Sequence, residues 1–282
     1  MKKTNVRKSE KTMVGCKWFL VAGLALVGCT GLYMTGASGE SQESDAESVH
    51  ITDGIKGIEA QADRILRGMS DYLKAHREYN FYAEITYDST LSNDQEIQYG
   101  GTSDVSVRRP DKLHMEYRGD ERQSRVVFDG KTITLCDLAA NVYSVMEVPS
   151  EIDAAVDHVF EKYNFSVPIA DMVYSDTYRI LTEEVQTGFL VGRHAVDGIP
   201  CHHLAFTQEH IDWQIWIEDG PRPVPRKLVI TYTDEQDWPQ YSARFTRWDF
   251  QPDHSESYFR FQPPAGADQI DVLPTKQKEI QP

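Results

Sequence analysis

The sequence predicts an α+β domain built on one curved antiparallel sheet of about eleven strands, which an N-terminal helix and a central helical insert cover. Three observations support this prediction. Apolar residues recur every three or four positions in an early segment and again in the middle of the chain, as they do on one face of a helix. Between and after these segments apolar and polar residues alternate, which is typical of strands. Asp-Gly pairs separate several of the alternating runs and are typical of hairpin turns.

The first predicted element is an amphipathic helix. Its apolar residues have the spacing of one helical face and are Ile55, Ile58, Ala62, Ile65, Leu66, Met69 and Leu73. A helix with one apolar face must bury it, so we expect this helix to pack against the sheet.

The period changes to two at residue 79, where the first set of strands begins. One face of the first strand consists of Tyr79, Phe81, Ala83, Ile85 and Tyr87. Alternation returns at 105–107, 113–117, 126–128 and 133–135, and it ends near Val142. Asp129-Gly130 between two such runs predicts a hairpin, because a type I′ turn requires residues that tolerate positive φ.

A helical insert separates these strands from a second set. The insert begins near Ser150, and its apolar face consists of Ile152, Ala155, Val156, Val159 and Phe160. Short helices are predicted at 168–173 and 177–183, and strands at 184–191, 199–207, 211–217, 225–232 and 241–248. Regular strands joined by short turns predict an antiparallel meander.

The concave side of this sheet is the candidate binding site. A strongly twisted sheet of about eleven antiparallel strands tends to curl. With little helix to cover it, its inner side holds either a packed core or an apolar cavity. The candidate cavity residues are large or soft side chains at alternating positions, namely Tyr79, Phe81, Ile85, Met115, Phe128, Trp213, Ile215 and Phe245.

The N-terminal region predicts export from the cytoplasm to the periplasm. Six basic side chains within residues 1–17 precede an uncharged apolar run, which is the organisation of a secretory signal. We therefore divide the chain into a signal at 1–37, an acidic tether at 38–50, a folded domain at 51–275 and a flexible tail at 276–282. The Ser, Glu and Asp composition of the tether is typical of a solvated linker.

Three outcomes remain open for the signal. The run Leu26-Val27-Gly28-Cys29 resembles the lipobox of bacterial lipoproteins, in which the cysteine is lipidated and anchors the protein to a membrane. Small residues at 35–39 also resemble ordinary secretory cleavage sites, so a soluble periplasmic product is the second outcome. The third is an uncleaved anchor, because the uncharged run 18–37 is just long enough to span a bilayer.

Charge argues against nucleic acid as a partner. The formal net charge of the whole chain is −15, and removal of residues 1–17 takes it to about −20. Such an acidic surface repels phosphate backbones.

The cysteines and histidines predict no catalytic or metal site. Cys136 and Cys201 either form one disulfide or remain free, and their spacing does not decide between these states. Four histidines cluster at 194–210, but His202 and His203 are adjacent in a strand and point to opposite faces. We expect no catalytic residue, no metal and no cofactor.

Three segments resemble domain-of-unknown-function family 2092, a family of predicted periplasmic proteins. They read Val-Asp-Gly-Ile-Pro-Cys-His-His-Leu-Ala-Phe at 196–206, Asp-Trp-Gln-Ile-Trp-Ile at 212–217 and Pro-Arg-Lys-Leu-Val-Ile-Thr-Tyr at 225–232. Phe-Asp-Gly-Lys-Thr at 128–132 also resembles a hairpin of that family and of the lipoprotein carrier LolA. The resemblance covers about 58–270 and implies the half-barrel shared by LolA, LolB and related lipid-binding envelope proteins.

This resemblance implies a binding function rather than an activity. LolA-like proteins hold acyl chains between a concave sheet and covering helices, so the expected ligand is an acyl chain, a lipid or a lipoprotein. One alternative is an interaction or sensor module of the envelope that docks a protein partner and binds no ligand. A weaker alternative is a metal-dependent hydrolase that uses the histidine cluster.

Overall fold

A single open sheet organises the computed structural model of this chain, which describes residues 57–93, 95–163 and 168–272. The predicted signal with Cys29, the tether and the tail at 276–282 lie outside the described residues. The predicted fold class is confirmed, because the sheet is curved, almost wholly antiparallel and not closed, which makes a half-barrel.

Three α-helices and twelve strands make up the regular structure of the described residues. The helices are α1 (Ala60–Ala75), α2 (Ile152–Tyr163) and α3 (Thr177–Thr182), with 3₁₀ helices at Pro168–Val173 and Glu256–Phe259. The first six strands are β1 (Glu78–Thr90), β2 (Glu96–Arg108), β3 (Lys112–Gly119), β4 (Gln123–Phe128), β5 (Thr132–Asp137) and β6 (Val142–Glu147). The remaining strands are β7 (Thr187–Val196), β8 (Ile199–Thr207), β9 (Ile211–Glu218), β10 (Pro225–Tyr232), β11 (Gln240–Asp249) and β12 (Asp268–Gln269).

Two meanders form the sheet and meet in its middle. The strand order is β12-β6-β5-β4-β3-β2-β1-β11-β10-β9-β8-β7. Strand β1 therefore pairs with β2 on one side and with β11, the last strand of the second meander, on the other. Since β6 and β7 lie near opposite edges, the segment that joins them must cross the sheet. This segment contains α2, the 3₁₀ helix Pro168–Val173 and α3.

The concave face of the sheet carries a contiguous apolar core. Alternation is clearest in β9, where Trp213, Ile215 and Ile217 are fully buried and the residues between them are partly exposed. Helix α1 packs its apolar face over β7 and β9, and it also contacts α3. Helix α1 therefore covers part of the second meander, and α3 packs on α1. The first meander is covered by α2 and the residues at 169–174.

A partly buried polar cluster joins α1 to α3. The Tyr178 hydroxyl donates to Asp63, and the Arg67 guanidinium donates to Asp63 at 2.8 Å and to the Tyr178 hydroxyl at 2.8 Å. Burial raises the pKa of Asp63, but the hydrogen bonds from Arg67 and Tyr178 outweigh burial and leave that pKa below 3.8. The cluster holds α3 in a defined position on α1.

The structure corrects several local expectations. Helix α1 begins at Ala60, because Ile58 instead forms a parallel bridge with Gly188 of β7. Ile55 lies outside the described residues. A short twelfth strand, β12, pairs in parallel with β6 at the edge of the sheet, where no strand was predicted.

Two of the Asp-Gly turns, at 129–130 and 197–198, differ from each other. At 129–130 the hairpin is confirmed, but only Gly130 has positive φ. The Asp129 carboxylate accepts hydrogen bonds from the backbone N–H groups of Lys131 and Thr132 at 2.9 Å, which makes an Asx-type turn. Asp197-Gly198 has positive φ at both positions and fits the type I′ turn.

Cys136 on β5 and Cys201 on β8 are free thiols, and both are fully buried. Burial raises the pKa of each thiol, so both are held in the neutral form.

Candidate functional site: an apolar cavity under the helical insert

A cavity of about 170 Å³ lies between the first meander and the helical insert. Its floor is formed by inward-facing side chains of β2 to β6, and all of them are apolar. They are Val105, Leu113, Met115, Val126, Ile133, Leu135 and Met146. These residues share one face because successive side chains of a strand point to opposite sides of the sheet, so every second residue points to the concave face.

The roof of the cavity comes from the insert. Helix α2 contributes Val156, Val159, Phe160 and Tyr163, and the residues at 169–174 contribute Ile169, Ala170, Asp171, Val173 and Tyr174. These residues of α2 recur at steps of three and four, so one face of the helix lies over the cavity. Val272, which follows β12, completes the lining.

Hydrogen bonds attach the N-terminal half of α2 to the segment after the 3₁₀ helix. The Asp153 carboxylate accepts from the backbone N–H of Ser175 at 2.9 Å and from its hydroxyl at 2.5 Å. The Tyr174 hydroxyl donates to Asp157 Oδ1 at 2.8 Å. Burial and this hydrogen bond raise the pKa of Tyr174, so the phenol stays protonated. The C-terminal half of α2 covers the cavity through apolar contacts.

The described lining residues are mostly apolar and can bury hydrocarbon. Among the described residues that line the cavity, only Tyr163, Asp171 and Tyr174 have polar side chains. They come from the end of α2 and the segment after it, whereas the sheet floor is apolar throughout. An apolar ligand with one polar end suits this distribution.

The sequence matches the family model described as "Predicted periplasmic protein (DUF2092)" over residues 62–273. The chain belongs to this family.

Membership of DUF2092 confirms the family expected from the sequence and the predicted periplasmic localisation. In the part of the DUF2092 chain that the structure describes, no helix is both long and apolar enough to cross a membrane. No curated protein sequence matches the chain significantly.

Several solved structures are similar to the DUF2092 chain. An uncharacterized conserved protein from Thermus thermophilus is 11% identical with a TM-score of 0.45, and the match covers 74% of this chain and 98% of that one. The lipoprotein LppX from Mycobacterium tuberculosis is 15% identical with a TM-score of 0.42, over 69% and 97% of the two chains. A LolA superfamily protein from Nitrosomonas europaea is 9% identical with a TM-score of 0.37, over 71% and 97%. Identities and TM-scores this low carry no information about the ligand of the DUF2092 chain.

Of the eight predicted cavity residues, Met115 lines the cavity of the DUF2092 domain. The other seven are buried in the contiguous core without lining it, and they are Tyr79, Phe81, Ile85, Phe128, Trp213, Ile215 and Phe245. Aromatic packing explains in part why these side chains lie in the core and not at the cavity. The ring centroids of Phe81 and Trp248 lie 4.9 Å apart, and those of Phe206 and Trp213 lie 4.1 Å apart. Large rings fill the space they face, whereas the cavity remains where the floor side chains are mostly aliphatic.

One signal in the sequence pointed to the roof of the cavity. Val156, Val159 and Phe160 belong to the apolar face predicted for the insert, and all three line the cavity. The floor positions Val126, Ile133 and Leu135 also belong to the predicted alternation, but the predicted cavity residues did not include them.

The histidine cluster is split between two sides of strand β8. The Nδ1 atoms of His203 and His194 lie 3.0 Å apart and share a hydrogen bond. The His203 ring also stacks on Trp216, with the ring centroids 3.9 Å apart. His202 faces Asp219, with Nε2 and Oδ1 3.1 Å apart. Within the described ranges no three His, Cys, Asp or Glu side chains come together as a metal site would require.

A second space of about 460 Å³ lies on the convex face of the sheet, beneath the tip of the β7–β8 hairpin. It is larger but more open, and its lining includes Glu84, Lys227 and Arg244. Arg244 pairs with both Glu84 and Asp197 of the hairpin turn. This space offers an apolar ligand little buried surface, so the concave cavity is the better candidate.

Proposed function

We propose that this DUF2092 domain binds an apolar ligand, such as an acyl chain, a lipid or the acyl group of a lipoprotein, non-covalently in the concave cavity. The observation that carries the proposal is the apolar lining of the 170 Å³ cavity between the sheet and α2. No bond is made or broken in this function, and the ligand is held by burial of hydrocarbon.

The energetics of an unfilled cavity support the proposal. Closed apolar cavities destabilise a protein by ~24 cal/mol per Å³, so this partly open cavity of 170 Å³ costs at most about 4 kcal/mol when empty. A ligand that fills the cavity recovers this free energy and adds ~0.8 kcal/mol for each buried methylene. A domain that retains such a cavity under a helix is suited to take up and release a chain.

Native mass spectrometry of the processed protein, purified from a periplasm, tests the proposal. We expect a mass that exceeds that of the polypeptide by one acyl-bearing ligand, which organic extraction releases for identification. The proposal fails if every preparation has the mass of the polypeptide alone and added medium-chain alcohols do not bind.

A second candidate function is docking of an envelope protein partner at strand β7. Phe189 and Val191 are exposed by 48% and 42% at this outer strand. Exposed apolar side chains that lie together on an outer strand are typical of protein-contact sites. Crosslinking in the periplasm, with Phe189→Ser as the comparison, tests this candidate: a specific partner that is lost in the variant would favour docking.

A further inference from the structure

A short segment at the β6 edge of the sheet forms one side of the cavity. We call this segment, residues 268–272, the strap. Its first part is strand β12, which pairs in parallel with Val142 and Tyr143 of β6. Its last residue, Val272, lines the cavity. The strap therefore connects the outer edge of the sheet with the apolar lining.

The strap is attached to the sheet more weakly than the strands of the cavity floor. Strands β2 to β6 each have a neighbour on both sides, whereas β12 is the last strand of the sheet and pairs with β6 alone. The backbone N–H of Asp268 donates to the Asn141 carbonyl at 3.1 Å, and that of Ile270 donates to the Tyr143 carbonyl at 2.8 Å. The residues at 268–271 are exposed, so the strap buries little surface. Edge segments of this kind open at a small cost in free energy, and the pairs among β2 to β6 stay intact.

The segment before the strap is fixed on the sheet. Phe259 is fully buried, and His114 Nδ1 donates to the Tyr258 carbonyl at 2.9 Å. The Arg108 guanidinium donates to the His254 carbonyl at 2.5 Å. Between this anchor and the strap lies Gly266, whose φ of 73° favours glycine. A fixed anchor followed by a glycine is suited to act as a hinge.

We propose that the strap is the gate of the cavity. It leaves β6 to admit or release an apolar ligand, and it pairs with β6 again when the cavity closes, while the sheet and α2 keep their places. This inference rests on the function proposed above and adds the route that the ligand takes. Since the strap is closed in both the empty and the filled protein, the gate controls the rates of binding and release rather than the affinity.

A disulfide between the strap and β6 tests the gate. Asp268→Cys and Val142→Cys are combined, because paired residues of neighbouring strands are close enough to form a disulfide. Neither position is among the described residues that line the cavity, and the native thiols Cys136 and Cys201 are buried. The probe is octanol with a terminal fluorine atom, and fluorine NMR line shapes give its rates of binding and release. We expect oxidation to lower both rates at least about tenfold and to change Kd less than about twofold.

Thr132→Cys combined with Glu147→Cys is the matched control. These residues pair between β5 and β6, so a disulfide between them also restrains β6 but leaves the strap free. Oxidation of this control should leave both rates as they are in its reduced form.

Ile270→Pro tests the gate in the opposite direction and needs no disulfide. Proline has no N–H, so this variant loses the hydrogen bond to the Tyr143 carbonyl, whereas Ile270→Ala keeps it. Ile270 is 46% exposed, so both changes spare the core. We expect the ligand to leave Ile270→Pro at least about threefold faster than Ile270→Ala.

The outcomes separate the gate from the function on which it rests. Equal rates in the oxidised and reduced strap variant would overturn the gate and leave the cavity as the binding site. If thiol counting shows that the disulfide does not form, the two Ile270 variants decide, and equal release from them overturns the gate. If the fluorinated octanol does not bind to the wild type, the proposed function fails and the inference fails with it.

Discussion

Filling the cavity from the sheet side should strongly weaken the binding of apolar ligands, and Leu135→Trp is the substitution that fills it. Leu135 lines the cavity and is only partly buried, so a larger side chain can be accommodated there. A cavity of about 150 Å³ holds one benzene molecule, so this one of 170 Å³ holds about six carbon atoms of a chain. At ~0.8 kcal/mol per methylene these contribute about 5 kcal/mol, or roughly three orders of magnitude in affinity.

The indole ring adds about six heavy atoms relative to leucine and would occupy most of this space. We therefore expect octanol to bind at least about 100-fold more weakly to Leu135→Trp than to the wild type, as measured by calorimetry. In the wild type, affinity should rise about fourfold per methylene along the series of primary alcohols and then level off.

Val145→Trp is the control for this prediction. Val145 lies on the neighbouring strand β6, is 42% exposed and pairs with Thr134, away from the cavity. This variant should bind octanol as the wild type does. Equal affinity of Leu135→Trp, Val145→Trp and the wild type would refute the assignment of the site.

Three further predictions follow from the core. Met115→Ala and Phe81→Ala should each lower the free energy of unfolding by about 2–5 kcal/mol in urea denaturation, but only Met115→Ala should change octanol binding, since only Met115 lines the cavity. Because the pKa of Asp63 is lowered in the folded protein, its ionised carboxylate stabilises the fold above pH 3.8. This contribution to the free energy of unfolding is lost as the pH falls through the folded-state pKa. Asp63→Asn should therefore be less stable than the wild type at neutral pH, and its free energy of unfolding should fall less steeply in acid. A maleimide should modify Cys136 and Cys201 only after unfolding, because both thiols are buried and their pKa values are raised; rapid modification of the native protein, seen by peptide mass mapping, would contradict their placement.

Much of the secondary structure could be predicted from the sequence. The 3₁₀ helix Pro168–Val173 and the strands Ile199–Thr207 and Pro225–Tyr232 have the predicted bounds. These segments combine a clear period with turn residues at both ends, and both signals are local. The errors fall where a local pattern competes with a tertiary contact, as at Ile58, which has the spacing of helix α1 but pairs with Gly188 of β7.

The candidate site could be predicted only in outline. The sequence indicated a concave apolar face, and it indicated the apolar side of α2 that forms part of the roof. It did not indicate which side chains face empty space. The largest side chains on the predicted face, such as Phe81 and Trp213, fill the core completely. The cavity lies where smaller side chains of the sheet, such as Val126, do not fill the space beneath α2.

The sequence by itself therefore determined the family, the order of most helices and strands and the face that each of them buries, and it predicted an export signal. Only the tertiary structure decided that β1 pairs with β11, that the insert crosses the sheet and that the cavity lies over β2 to β6. The physical reason is that periodicity reports the burial of each residue within its own segment. The pairing of distant strands, and the volume left between them and a covering helix, depend on side chains that lie far apart in the chain.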